Sequence, residues 1–143
     1  MLNPAPFCLI GIVNVTPDSF SDGGKYIDPR NAVAHGLRLL DEGAGMLDLG
    51  AESTRPFAEP VPEGEEIARL MPVVARLREQ RPDAVLSVDT LKAGTARAAL
   101  EGGADIINDV SACVADPALL DVLAEYKPGM CSCTARAARA KCR

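Results

Sequence analysis

The sequence lacks the features that are typical of a nucleic-acid-binding surface, a membrane-spanning segment or a secreted protein. Its net charge is −5 at pH 7, its pI is near 4.9, and no basic stripe lies outside the last few residues, which argues against nucleic acid as a partner. No apolar run approaches the roughly 20 residues that cross a bilayer, so we expect no membrane partner. The first four residues, MLNP, lack the basic and apolar regions of a signal peptide, and we expect a cytoplasmic protein.

The sequence also lacks a zinc signature and a histidine in a catalytic setting. Among the five cysteines, Cys131 and Cys133 form a Cys-x-Cys pair with a distant third cysteine and no nearby histidine, which is poor zinc spacing. The single histidine, His35, lies within a helical pattern beside Gly36. A solvated or packed role is favoured over a catalytic one there.

Strand-length apolar runs alternate with helical patterns along the chain. The predicted strands cover residues 7–13, 45–49, 84–88 and 105–107, and the predicted helices cover residues 29–42, 63–80, 91–101 and 117–125. Four βα units of this kind predict an α/β fold with parallel strands and right-handed crossovers. The fold is either a small open sheet or the N-terminal half of a (β/α)8 TIM barrel, truncated because such barrels need about 250 residues.

Polar residues gather directly after each predicted strand, at the end where barrels of this class place their active sites. Asn14, Asp89 and Asn108 follow the first, third and fourth strands. Their amides and carboxylate would form a polar pocket for a flat, nitrogen-rich ring. An alternative for Asp89 is that it caps the helix that follows, beside Thr90.

The loop after the second predicted strand contains a planar, permanently charged side chain. Residues 51–56 read AESTRP, and Arg55 within them is suited to bind phosphate or carboxylate. The alternative is that Arg55 pairs with Asp48 or Glu52 as part of the loop scaffold. Both interpretations stay open on the sequence alone.

Four motifs together resemble dihydropteroate synthase. Residues 11–24 (GIVNVTPDSFSDGG) resemble its first signature, and residues 48–56 (DLGAESTRP) resemble its second. Residues 87–90 (SVDT) and 107–109 (IND) resemble the motifs that follow, in the same order, and the resemblance covers about residues 7–129. It implies a transferase of folate biosynthesis, which joins 6-hydroxymethyl-7,8-dihydropterin pyrophosphate to p-aminobenzoate and releases pyrophosphate. Phe57 departs from the small residue that is common in the family.

The resemblance also implies roles for individual residues. Asn14 would lie at a Mg²⁺ and pyrophosphate site, and Asp89 and Asn108 would bind the pterin. The residues that would belong to two loops closing over the reacting centre are Phe20, Asp22, Thr54, Arg55 and Pro56. Asp22, Arg55 and Asp89 are the predicted catalytic residues. Carboxylates near the pterin would stabilise the positive charge that develops as pyrophosphate leaves, while Mg²⁺ would neutralise the pyrophosphate. The full-length family member is expected to be a homodimer.

Residues 130–143 differ from the family pattern. They contain three cysteines and no acidic residue, and we expect no fifth buried strand among them. With GC-rich codons, a one-base shift in reading frame would change the tail to YVLMHSPGGPGEMQ, which resembles the family's fifth strand and its loop. We therefore expect a partial pterin-binding barrel domain over residues 1–129 and a frameshifted tail over residues 130–143. The alternative is a naturally divergent tail.

Two other functions stay open. One is a pterin-binding methyltransferase domain, although residues 16–22 (TPDSFSD) fit the synthase. The other is a non-catalytic fragment, such as a pseudogene product. For a half-barrel with open strand edges, we expect self-association and no useful turnover.

Overall fold

The computed structural model describes residues 7–16, 28–52 and 60–132. Strands and helices alternate in these ranges: β1 (Ile10–Asn14), α1 (Pro29–Asp41), β2 (Met46–Gly50), α2 (Glu63–Gln80), β3 (Leu86–Asp89), α3 (Ala93–Glu101), β4 (Ile106–Asp109), α4 (Leu119–Tyr126) and β5 (Gly129–Ser132). All neighbouring strands pair in parallel, in the order β1-β2-β3-β4-β5. Strictly sequential order is that of a segment of a (β/α) barrel, whereas doubly wound sheets reverse their order at a switch point.

One face of the sheet packs against the helices and forms the core. Side chains alternate in burial along β1 and β2, so that Val13, Leu47 and Leu49 are buried and their neighbours are not. The helices meet this face with their own aliphatic residues, including Leu70 and Leu77 of α2, both fully buried. Each buried leucine contributes about 1.5–3 kcal/mol to folding through removal of apolar surface from water.

Local sequence sets the ends of α1. Asp28 is its N-cap, and Asp28 Oδ1 accepts a hydrogen bond of 2.9 Å from the backbone N–H of Arg30. Pro29 occupies the first turn, where its missing N–H costs nothing. Gly43 follows the helix with φ +104°, a left-handed conformation that terminates helices and favours glycine. No helix in the three described ranges is both long and apolar enough to cross a membrane.

The four predicted βα units are confirmed, and α2 has the predicted bounds. We expected no fifth buried strand, and the structure has a fifth strand that is exposed: β5 pairs with β4 from Gly129 to Ser132. All four residues of β5 are exposed, so this strand forms through backbone pairing and leaves no apolar pattern in the sequence. Residues 133–143 lie outside the described residues, and the frameshift in the tail stays a prediction.

Candidate functional site

A row of side chains in register crosses the carboxyl end of the sheet. Asn14 pairs with Gly50, Gly50 with Asp89, and Asp89 with Asn108. Residues in register share a face, and this face is opposite to the one that packs on the helices. The structure thus brings the three predicted residues Asn14, Asp89 and Asn108 into one row, in which Asp89 and Asn108 are direct neighbours. Their individual roles stay predictions.

Asp89 is the carboxylate at the centre of this row. Asp89 Oδ2 lies 3.8 Å from the position that a Cβ at Gly50 would take, so the carboxyl group extends toward the glycine. Burial, followed by the charges of the nearby carboxylates of Asp48, Glu66, Asp109 and Glu52, raises the pKa of Asp89 to about 6. A ligand that supplies N–H donors would relieve this unfavourable environment.

Asp89 does not cap α3, so the capping alternative is wrong. The first N–H groups around the start of α3 have other acceptors: Lys92 N donates to Thr90 Oγ1, and Ala93 N donates to Asp116 Oδ2 at 2.8 Å. Gly94 N donates to Glu63 Oε1, also at 2.8 Å. These three N–H groups are satisfied without Asp89, which is left available to a ligand.

Asp48 contacts a predicted site residue, although the sequence analysis did not single it out. Asn108 Nδ2 donates a hydrogen bond of 3.0 Å to Asp48 Oδ2. The other carboxylate oxygen, Asp48 Oδ1, is buried and has no hydrogen-bond partner among the residues the structure describes. The signal in the sequence was a charged residue inside the apolar strand MLDLG, which is unusual because an unpaired buried charge is costly.

Asp109 follows Asn108 but faces the helices, where it is fully buried. Its two oxygens accept hydrogen bonds from Ser111 N at 2.7 Å and from Cys113 N at 2.5 Å. Burial opposes ionisation of Asp109, but these hydrogen bonds outweigh it and lower the pKa. Ala112 and Cys113 have φ of 54° and 60°, so Asp109 stabilises a turn of strained backbone directly after the site.

A charged cluster links the end of β2 to α2 and α3. Lys92 Nζ donates to Glu52 Oε2 at 2.5 Å and to Glu66 Oε2 at 2.8 Å. Glu66 is almost completely buried and also accepts a hydrogen bond from Thr95 Oγ1. Burial favours a lower pKa for Lys92, but the two glutamates outweigh it and raise the pKa. The sequence analysis missed Lys92 and Glu66, because buried ionic partners on separate elements have no local pattern.

The remaining predicted site residues lie outside the described residues: Phe20, Asp22, Thr54, Arg55 and Pro56. Asn14 is the only predicted metal ligand. The described ranges contain no group of three or more His, Cys, Asp or Glu side chains that could hold a metal. An amide oxygen at an exposed strand end does suit Mg²⁺, because this ion keeps several waters and is commonly bound together with substrate phosphates.

Comparison with known proteins identifies the family. Residues 10–142 match the family described as "Pterin binding enzyme". The chain is 50% identical over 121 residues to the dihydropteroate synthase of Mycobacterium leprae, a match that covers 85% of this chain and 42% of that protein. It is 48% identical over 118 residues to the dihydropteroate synthase of Bacillus subtilis, covering 82% and 41% of the two chains.

Solved structures with the same fold lead to the same family. Xanthomonas albilineans dihydropteroate synthase with 4-aminobenzoic acid superposes with a TM-score of 0.78 at 52% identity, covering 86% of this chain and 45% of that one. The same enzyme in complex with 7,8-dihydropteroate gives a TM-score of 0.73 at 48% identity, covering 86% and 44%. The chain spans less than half the length of the relatives it matches. It belongs to the family of pterin binding enzymes, and within that family it is similar to the dihydropteroate synthases.

Proposed function

We propose that this chain supplies the pterin-binding part of a dihydropteroate synthase. The observation that carries the proposal is the register of Asp89 and Asn108, which puts a carboxylate and an amide side by side on the open face of the sheet. A pterin ring presents adjacent N–H groups along one edge, and adjacent acceptors are the groups that bind such an edge. The similarity to synthases solved with 4-aminobenzoic acid and with 7,8-dihydropteroate supports the same substrates here.

The raised pKa of Asp89 agrees with a binding role. A carboxylate that is buried near other carboxylates is destabilised in the empty site, and donors on a bound ring would stabilise it. The same negative surroundings would stabilise positive charge on the ring as a leaving group departs. Asp89 would therefore both orient the pterin and favour its ionisation.

In the proposed reaction, the C–O bond between the pterin methylene and pyrophosphate breaks, and its electron pair leaves with pyrophosphate. The amine nitrogen of p-aminobenzoate forms the new C–N bond and then loses a proton to the solvent. The carboxylate of Asp22 would stabilise the positive charge that develops on the pterin, and Arg55 would bind a phosphate or carboxylate group of a substrate. Phe20, Thr54 and Pro56 would exclude water from the reacting carbon. Mg²⁺ held at Asn14 would supply charge neutralisation for the pyrophosphate.

Further features of the whole enzyme belong to this proposal. We infer Mg²⁺ as the cofactor, a cytoplasmic location, and a homodimer for the full-length protein. The partners would be pterin pyrophosphate and p-aminobenzoate, with neither nucleic acid nor membrane involved. The negative net charge and the resemblance in the sequence motifs support these inferences.

Binding of a fluorescent pterin tests the proposal directly. 6-Hydroxymethylpterin is titrated with the chain, with its Asp89→Ala and Asn108→Ala variants, and with Asp121→Ala as the matched control on the exposed surface of α4. We expect binding by the chain and the control, and affinity at least about tenfold weaker in both site variants, since hydrogen bonds to charged groups contribute about 1.5–3 kcal/mol. Equal binding by all four proteins would contradict the assigned site.

Two product assays separate the synthase from the methyltransferase alternative. The first measures pyrophosphate release that depends on p-aminobenzoate and Mg²⁺, and the second measures methyl transfer from a methylated pterin. The synthase proposal expects any turnover only in the first assay. Methyl transfer without p-aminobenzoate-dependent release would overturn it.

A further inference from the structure

Asp48 lies one row below the predicted site residues, on the same open face. In its row it is in register with Ile12 on one side and Ser87 on the other, and Ser87 is in register with Ile106. Asp48 is therefore the only ionisable side chain among these four residues. A partly buried carboxylate loses hydration, so it is unfavourable unless hydrogen bonds or opposite charges compensate for the loss.

The hydrogen bond from Asn108 reaches Asp48 across the intervening strand β3. A side-chain amide can rotate by half a turn, which exchanges its oxygen for its nitrogen, and only its hydrogen-bond partners determine which orientation it adopts. A carboxylate accepts hydrogen bonds and donates none, so the Asn108 atom 3.0 Å from Asp48 Oδ2 is the nitrogen. The amide oxygen of Asn108 then points away from Asp48.

We propose that Asp48 is a positioning residue, which holds Asn108 with its amide oxygen available to the ligand. This proposal rests on the proposed function, because it requires that Asn108 contacts a ligand. Without Asp48, Asn108 could present either an acceptor or a donor. With Asp48, Asn108 and its register neighbour Asp89 both present acceptors. The site then selects a ring edge with adjacent N–H donors and disfavours an edge with an acceptor at the Asn108 position.

The pKa of Asp89 provides a second way to measure the effect of Asp48. Four carboxylates from several elements lie near enough to raise the pKa of Asp89 through their charge: Asp48 on β2, Glu52 after β2, Glu66 on α2 and Asp109 on β4. Lys92 is the cation of this group, and its Nζ hydrogen-bonds Glu52 and Glu66. Asp48 is the strongest of the four carboxylates in raising the pKa of Asp89, after burial itself. Loss of the charge at position 48 should therefore lower the pKa of Asp89.

Selective labelling makes the orientation of Asn108 measurable. The chain contains four asparagines, so ¹⁵N-asparagine labelling gives four side-chain amide signals, and the signal lost in Asn108→Ser assigns Asn108. Magic-angle-spinning NMR serves if the chain associates. In Asp48→Ala, we expect exchange of the Asn108 amide protons with solvent to become at least about tenfold faster, as loss of a hydrogen bond to a charged group implies. Asp121→Ala should leave the exchange unchanged.

Asp48→Asn is the second variant, because it keeps the shape of the side chain and removes only its charge. ¹³C signals of labelled aspartate should then show the pKa of Asp89 lowered toward its ordinary value, an effect that a purely structural role of Asp48 would not produce. Circular dichroism confirms that each variant is folded. Unchanged Asn108 exchange in a folded Asp48→Ala variant would overturn the proposal. If that variant unfolds, an unchanged Asn108 signal and an unchanged Asp89 pKa in Asp48→Asn would overturn it instead.

Binding of 6-hydroxymethylpterin separates this proposal from the function on which it rests. If the unaltered chain binds the pterin, Asp48→Ala should weaken binding about tenfold or more while Asp121→Ala does not. If the unaltered chain binds no pterin, the proposed function fails for this polypeptide, but the NMR signals of Asn108 and Asp89 still decide whether Asp48 positions them.

Discussion

The two faces of the sheet differ in chemistry along the same strands. In β2, Leu47 and Leu49 face the helices and are fully buried, whereas Met46, Asp48 and Gly50 face the other way and are only partly buried. The helix-facing side is therefore the part of the sheet that holds the fold together. The open side contains the polar groups that can bind a ligand. Their unfavourable charges reduce stability, and the stability of the core on the other face compensates for this.

Two carboxylates at the carboxyl end of the sheet show the same difference. Asp109 faces the helices, where backbone N–H groups of Ser111 and Cys113 stabilise its charge. Asp89 faces the open side, where burial and neighbouring carboxylates destabilise its charge and raise the pKa to about 6. A carboxylate supplied with donors by its own backbone serves structure. One that lacks them is suited to receive donors from a ligand.

The largest expected effect is on the helix-facing side. Leu47→Ala should lower the free energy of unfolding by about 3–5 kcal/mol, because Leu47 is fully buried and its truncation leaves a cavity. Ile12→Ala, on the open face, should lower it by less than about 1 kcal/mol, since Ile12 is 62% exposed. Urea unfolding followed by circular dichroism measures both. Equal losses would mean that the open face contributes to the core as much as the buried one does.

The charged cluster on the helix side should give the next largest effect. Lys92→Met removes the partner of Glu66, which is 1% exposed, and should destabilise the chain by about 2–3 kcal/mol; the partial exposure of Lys92 itself keeps the loss below that of a fully buried pair. Urea unfolding at pH 7 measures the loss.

The double variant Lys92→Met/Glu66→Gln tests the cause. It should recover part of the stability, because no uncompensated charge is left between α2 and α3. A double variant less stable than Lys92→Met would show that packing of the lysine, not its charge, accounts for the loss.

Asp89→Asn should stabilise the chain at neutral pH by about 1–2 kcal/mol, after allowance for its partial exposure. The pKa of Asp89 is raised from 3.8 to about 6 on folding, so the protonated group favours the folded state below about pH 4. This contribution is lost as the pH rises through 6. The gain from the substitution should therefore be present at pH 7 and absent at pH 4, as measured by urea unfolding at both values.

Asp109→Asn is the control with the opposite sign. Folding lowers the pKa of Asp109, so its contribution to stability is present above the ordinary pKa of an aspartate and is lost as the pH falls through the lowered value. The substitution should destabilise the chain at pH 7. If both aspartate variants change stability in the same direction at pH 7, the contrast between the two faces is wrong.

The sequence predicted the elements well where an apolar pattern existed, and α2 is the clearest case, because it is long and amphipathic. It could not predict β5, whose four residues are exposed and whose strand forms through backbone pairing with β4. Asp89 and Asn108 lie at the carboxyl ends of β3 and β4, and position alone was enough to predict them as candidates for the site. The roles of Asp48 and Lys92 depend on partners 60 and 26–40 residues away in sequence, and no local pattern encodes such distances.

The smallest expected change in stability comes from the open face, where the effect is on association. Ile10 and Ile12 expose 53% and 62% of their surface on this face, and in the described part of the chain β1 and β5 are the outer strands of the sheet. We predict that the 143-residue polypeptide associates through this surface, because exposed aliphatic residues and unpaired strand edges both favour contact between copies. Ile12→Lys should reduce association and change the free energy of unfolding by less than about 0.5 kcal/mol.

Leu120→Lys is the matched control, since Leu120 is 57% exposed but lies on α4, away from the open face. Sedimentation velocity over a range of concentrations should show the unaltered chain and Leu120→Lys shifting together toward larger species, while Ile12→Lys stays smaller. A monomeric unaltered chain would contradict the prediction. Equal reduction by both lysines would mean that added positive charge, rather than the open face, governs association, because either substitution brings the net charge of −5 closer to zero by the same amount.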